Sequence, residues 1–169
     1  MKTYKHNEDL TVTTTFSDDK EYRYKLEVTK NNNTNKLYTI CVIMLNPSCA
    51  NEFIADKTIN FLEKLIFMNG LQIFKCVNKI IIVNLFAYVQ TENFDGADIK
   101  VGEKNNYYLE TAIAQADIIL IAWGKDYYAK RINFVLRAIK NYEKKLVYRT
   151  AKHPSRGSYS KDFVVEYRI

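Results

Sequence analysis

Two amides, an imidazole and a few hydroxyls are the residues of this chain whose type and spacing suit them to chemistry. Asn46 stands in an Asn46-Pro47-Ser48 turn just after the apolar run Tyr38 to Leu45, and Asn84 interrupts the apolar stretch Lys79 to Ala87 (KIIIVNLFA). His153 precedes Pro154 and Ser155 and is the only histidine besides His6. A side-chain amide carries two donors and two acceptor lone pairs, and leaving such a group unpaired in a core costs about 1–3 kcal/mol. Asn84 therefore needs a partner, either the backbone of a neighbouring loop or a ligand. Pro154 biases the residue before it toward extended geometry, which fixes where the His153 imidazole points. Plainer readings stand beside these: a turn in which Ser48 caps the next helix, and a lone histidine satisfied within the fold.

The elements that must position these groups are legible in the hydrophobic pattern. Tyr38–Leu45, Lys79–Ala87 and Asp117–Trp123 are continuous apolar runs of strand length, as expected of strands covered on both faces, and Leu146–Thr150 is a shorter one. Between them lie helical patterns. Asp56 is placed to cap a helix bearing Ile59, Leu62, Leu65 and Ile66 and stopping at Gly70, and further helices are expected over Glu103–Gln115 and Asp126–Asn141. Leu10–Phe16 and Tyr22–Lys30 read as antiparallel or edge strands, followed by a turn or loop in the Asn31–Asn35 tract. The expected fold is a single α/β domain over residues 1–169: a three-layer α/β/α arrangement around a mostly parallel four-stranded sheet, plus N-terminal antiparallel strands. In such a sheet ligands sit beyond the carboxyl ends of the strands. Asn46, Asn84, Trp123-Gly124 and His153-Pro154-Ser155 all fall there.

Composition narrows the classes of function. The chain has 169 residues, 47% hydrophobic and 26% charged, which excludes collagen-like, disordered and coiled-coil proteins. Its five glycines and two prolines disfavour a Gly-rich phosphate loop or a Pro-rich linker. No apolar run is long enough to cross a bilayer, and no secretory signal opens the sequence, so a cytoplasmic protein without a membrane partner is expected. Cys41, Cys49 and Cys76 form an odd set without a Cys-x-x-Cys pair, read as reduced thiols, and neither a metal nor a cofactor is called for. Net charge is +6, and from Lys140 onward eight basic residues face three acidic ones. That excess suits nucleic acid or a phosphorylated ligand, or else is a solvated lysine-rich face.

The order L-N-P-S (45–48), D-K-T-I (56–59), V-N-L-F-A (83–87), A-W-G (122–124) and H-P (153–154) resembles a bacterial and phage family known only as a domain of unknown function. More distantly, the same skeleton is similar to the uracil-DNA glycosylase superfamily. The resemblance implies that Asn46 holds an attacking water, Asn84 reads a base edge and His153 stabilises the departing base, making Asn46 and His153 the catalytic pair. It further implies base contacts from Phe86 and Trp123, and phosphate contacts from Ser48, Ser155 and the adjacent Arg156. Phe53, Phe86 or Tyr88 would stack on a flipped base. The chain departs from the superfamily in two places. Ser48 follows Pro47 where the best-known members have Tyr, their activating Asp has Glu52 and Asp56 as its nearest counterparts here, and Arg156-Gly157-Ser158-Tyr159 replaces an apolar wedge.

Three functions are compatible with these features. One is a hydrolase that cleaves an N-glycosidic bond in DNA or a nucleoside-derived substrate. Another is a non-catalytic protein that sequesters a nucleotide or nucleotide-derived signal in the same pocket. The third is a basic docking face for nucleic acid, whose affinity falls steeply with salt. The partner is thus a nucleotide or nucleic acid, with the oligomeric state open.

Overall fold

The computed structural model describes residues 2–31, 38–142 and 145–169. Among them the chain forms β1 (Leu10–Phe16), β2 (Arg23–Lys30), β3 (Tyr38–Met44), α1 (Lys57–Phe67), β4 (Val77–Asn84), α2 (Asn105–Gln115), β5 (Ile118–Ile121), α3 (Ala129–Lys140), β6 (Leu146–Thr150) and β7 (Val164–Glu166), with short 3-10 turns between. Beyond Asn31, the expected loop over the asparagine tract lies outside the described residues.

All seven strands join one sheet in the order β1-β2-β4-β3-β5-β6-β7. β3 pairs parallel with β4 and β5, and β5 pairs parallel with β6. The β1–β2, β2–β4 and β6–β7 pairs are antiparallel. The fold is therefore mixed α/β, and the sheet is seven-stranded and only partly parallel, wider than the mostly parallel four-stranded sheet expected, because the N-terminal antiparallel strands and β7 join it. The β1–β2 hairpin bonds directly onto β4 and widens the sheet. β7 folds back onto β6, and its three residues are too few to show a period in the sequence.

The apolar runs form strands because both faces are covered. On one face Ile40, Val42, Ile80, Ile82, Ile118 and Leu120 pack under α1. On the other, Cys41, Ile43, Ile81, Val83, Ile119 and Ile121 pack under α2 and α3. Leu62 and Leu65 of α1 are fully buried, and each contributes about 1.5–3 kcal/mol by leaving water. Asp56 caps α1 as its sequence suggests, accepting the Thr58 and Ile59 N–H groups at 2.8 and 2.9 Å. α3 starts at Ala129 and not at Asp126, because the Asp126 carboxylate is engaged by Trp123 and Arg149 and caps nothing. Among the described residues no helix is long and apolar enough to cross a membrane.

One irregularity matters for the site. β1 and β2 run in register from Leu10↔Lys30 to Thr15↔Lys25, then Phe16 pairs with Arg23, so Tyr24 is an extra residue in β2. Such a bulge reverses which side chains face which side. Leu26 and Val28 lie in the core beneath α1, whereas Tyr24 stacks on Tyr108 of α2, on the other side of the sheet. Arg23 is thereby turned to the α1 side.

Candidate functional site

Beyond the carboxyl ends of the parallel strands lies a cavity of about 570 Å³. Asn46 and Ser48 reach it from the turn after β3, Gln90 and Thr91 from the segment after β4, and His153 and Ser155 from the turn after β6. Asp56, Lys57 and Thr58 enter at the start of α1, and Met44 and Arg23 from the sheet. Lys2 and Tyr4 close one side, on an N-terminal strap held by paired backbone bonds between Tyr4 and Ala55 at 2.8 and 2.9 Å. His6 anchors the strap: Nδ1 lies 2.5 Å from Glu63 Oε1 and Nε2 lies 2.9 Å from the Asn51 carbonyl oxygen.

Asn46 donates from Nδ2 to the carbonyls of Gln90 at 2.6 Å and Pro47 at 3.2 Å, tying the two strand ends together. The acceptor it can present is Oδ1. His153 is held differently. Its Nδ1 accepts the Ser155 N–H at 3.2 Å and lies 2.9 Å from Ser155 Oγ. A ring nitrogen that accepts a backbone N–H carries no proton, so the neutral imidazole keeps its proton on Nε2 and is a donor there. Burial, then the Arg156 charge, lowers the His153 pKa from its ordinary value against the opposing pull of Asp56, which favours this neutral donor.

The A-W-G and H-P motifs meet in space. Gly124 has φ +86°, which favours glycine, and a Cβ there would press on His153 Cβ at 3.1 Å. Trp123 holds the turn: its indole N–H donates to Asp126 at 2.8 Å, and Arg149 bridges the Asp126 carboxylate and the Gly124 carbonyl. Gly157 lets the turn after His153 close on α1, since a Cβ there would come within 2.4 Å of the Phe61 ring.

Asn84 is fully buried, and neither polar atom of its amide has a hydrogen-bond partner among the described residues. It does not line the cavity itself. It continues the Ile80–Ile82 face of β4 and is the register partner of Met44, which does. Phe86 and Trp123 lie in the core on the α2–α3 side, Phe86 edge-to-face with Phe94 and Tyr128. Arg156 is exposed and is not among the cavity residues, and Phe53 is 75% exposed. Tyr88 packs on Tyr22, and Tyr159 stacks on Phe61. Glu52 binds the Thr14 hydroxyl at an exposed position. Asp56 is the carboxylate that joins Asn46 and His153 at the cavity.

Sequence reasoning missed the strap and Arg23. A simple alternation over Tyr22–Val28 sends Arg23 to the opposite side from Leu26, and no sequence signal marks the bulge. It also missed Asn105 and Arg131, buried side chains that bind the last carbonyls of the β4 segment: Asn105 Nδ2 donates to Asn84 and Leu85 at 3.1 and 3.2 Å, and Arg131 Nε to Leu85 at 2.8 Å. They hold the turn in which Asn84 sits.

No match was found among curated proteins or among solved structures. A family model described as "Protein of unknown function (DUF1643)" matches residues 23–158, which take in β2 through the H-P turn and every cavity residue except Lys2 and Tyr4. The chain belongs to that family.

Proposed function

We propose that the cavity recognises a nucleobase and hydrolyses the N-glycosidic bond that carries it, in nucleic acid or in a nucleotide, with a site of the uracil-DNA glycosylase kind. The observation that carries the reading is that Asn46 and His153, far apart in the chain, line one cavity together with Asp56. Cleaving an N-glycosidic bond builds negative charge on the departing base and positive charge on the sugar. A preorganised donor at the base oxygen is worth several kcal/mol, and the His153 Nε2–H is such a donor. Asp56 supplies the carboxylate that orients water and offsets sugar charge, a role the sequence left without an obvious holder. Asn84 lies behind Met44 and does not line the cavity; its donor and acceptor, both without a partner among the described residues, suit a complementary base edge once Met44 moves aside. The parallel neighbours β4-β3-β5-β6, with the Asn-Pro turn after β3, support the superfamily likeness.

The enclosure of Asn84 favours a second reading, a protein that closes on a nucleotide and holds it without reaction. One experiment separates the two. Purified protein is incubated with oligonucleotides and mononucleotides bearing normal and modified bases, and free base is measured by chromatography. Base release that is lost in His153→Ala and Asp56→Asn supports hydrolysis. Stoichiometric binding with the ligand recovered intact supports sequestration, and neither release nor binding ends both readings.

A further inference from the structure

Arg23 is a buried, charged side chain in the cavity wall. It is 1% exposed, its Nη1 donates to the Ala50 carbonyl at 2.6 Å, and its buried Nε has no partner among the described residues. Among the described residues no carboxylate forms an ion pair with it. Burial pulls its pKa down to about 10, against the weaker opposing influence of Asp56 and Cys49, so it still carries its charge at neutral pH. Burying an ion costs several kcal/mol even after relaxation, and a buried cation is normally matched by an anion. Here Asp56 acts only at a distance, and the cavity lies against the guanidinium. The guanidinium fork fits phosphate oxygens in pairs.

We propose that Arg23 is an anion receptor in the cavity wall and that the ligand places a phosphate monoester against it. This deepens the nucleobase reading by naming the substrate as a nucleotide with a terminal phosphate, and for that substrate class it rests on that reading. Charge selects the monoester over the diester of a nucleic-acid backbone. Lys2, Arg23 and Lys57 face the cavity against the single carboxylate of Asp56, with His153 neutral, a surplus of two positive charges. A monoester carries about two negative charges at neutral pH and a diester only one. The match begins at Arg23, so the receptor is part of the family's span, whereas Lys2 lies outside it.

The test uses calorimetric titration of the full chain with nucleoside 5′-monophosphates, the corresponding nucleosides, a dinucleoside monophosphate and inorganic phosphate. The expected result is monophosphate binding at least about tenfold tighter than nucleoside or dinucleoside, with inorganic phosphate competing. Arg23→Gln removes that advantage and leaves nucleoside affinity unchanged. Equal affinity for nucleoside and monophosphate, or an equal loss of both in a folded Arg23→Gln protein, overturns the proposal. Should Arg23→Gln fail to fold, Lys57→Gln carries the test: a selective loss of monophosphate affinity supports the site, and no loss overturns it. Failures are separable. Binding of inorganic phosphate without any nucleoside or nucleotide preserves the anion site and ends the nucleobase reading. Nucleoside binding indifferent to phosphate does the reverse, and no binding at all overturns both.

Discussion

Glu63→Gln probes how firmly the strap is fastened to the body of the protein. Both His6 nitrogens face acceptors, the Glu63 carboxylate and the Asn51 carbonyl, so both must donate and the ring is an imidazolium. Burial works against that charge. The Glu63 hydrogen bond, the Asn51 carbonyl, the Glu63 charge and the Ile54 backbone outweigh it, and the pKa is raised from its ordinary value of 6.5. The side chains are only 8% and 4% accessible. Removing one partner of a buried pair costs about 3–5 kcal/mol, and the lower figure applies because the imidazole can shed its proton instead. A loss of about 3 kcal/mol lowers the urea midpoint by roughly 1–2 M. The sign with pH follows from the raised pKa: the stabilisation is complete below pH 6.5 and is lost as pH rises through the folded-state value above it. Denaturation of wild type and variant at pH 5.5, 6.5 and 8.5 should therefore show a large gap at low pH that narrows at high pH. An unchanged midpoint at pH 5.5, with wild type and variant falling in parallel as pH rises, would refute the reasoning.

His153 contributes with the opposite sign. Its pKa is lowered, so its share of stability is complete above pH 6.5 and is lost as pH falls through the folded-state value; His153→Asn should flatten the acid limb of the stability curve, and an unaltered limb would count against the Ser155 contact. Asn84→Leu should raise stability by about 1–3 kcal/mol, since it removes two unpaired polar atoms, while abolishing ligand binding; a destabilised variant would mean that the amide has partners in solution. Gly124→Ala should cost about 1–3 kcal/mol through its φ of +86° and its approach to His153, and should weaken binding more than stability alone explains. Calorimetry on the folded variant, compared with a surface substitution of equal cost, checks the last point.

What the sequence disclosed is what is local or repeated. Continuous apolar runs such as TICVIM and IIIV are of strand length and rich in β-branched residues, as strands covered on both faces are, and Asp56 before Ile59, Leu62 and Leu65 is a helix start with its cap. The turns after β3 and β6 were legible because Pro47 and Pro154 end their elements and place Asn46 and His153. What stayed hidden depends on distant partners. The bulge at Tyr24 that turns Arg23 inward has no signature in its neighbours. The strap relies on a bond between His6 and Glu63, 57 residues apart, which no periodicity reports. Phe86 and Trp123 are aromatic residues at strand ends, and sequence position alone did not reveal that both pack on the α2–α3 side while the cavity opens on the α1 side.

Asn46 and His153 line the cavity and Asn84 lies behind Met44, so one ligand engages all three only when Met44 moves aside. Side-chain NMR of the Asn46 and Asn84 amides and the His153 ring, followed while a nucleoside 5′-monophosphate is titrated into the labelled protein, tests this directly. All three signals are expected to shift together along one binding curve, with His153 keeping its proton on Nε2. Saturation by the nucleotide with the Asn84 amide unmoved, or with shifts confined to the Trp123 side of the sheet, would contradict it.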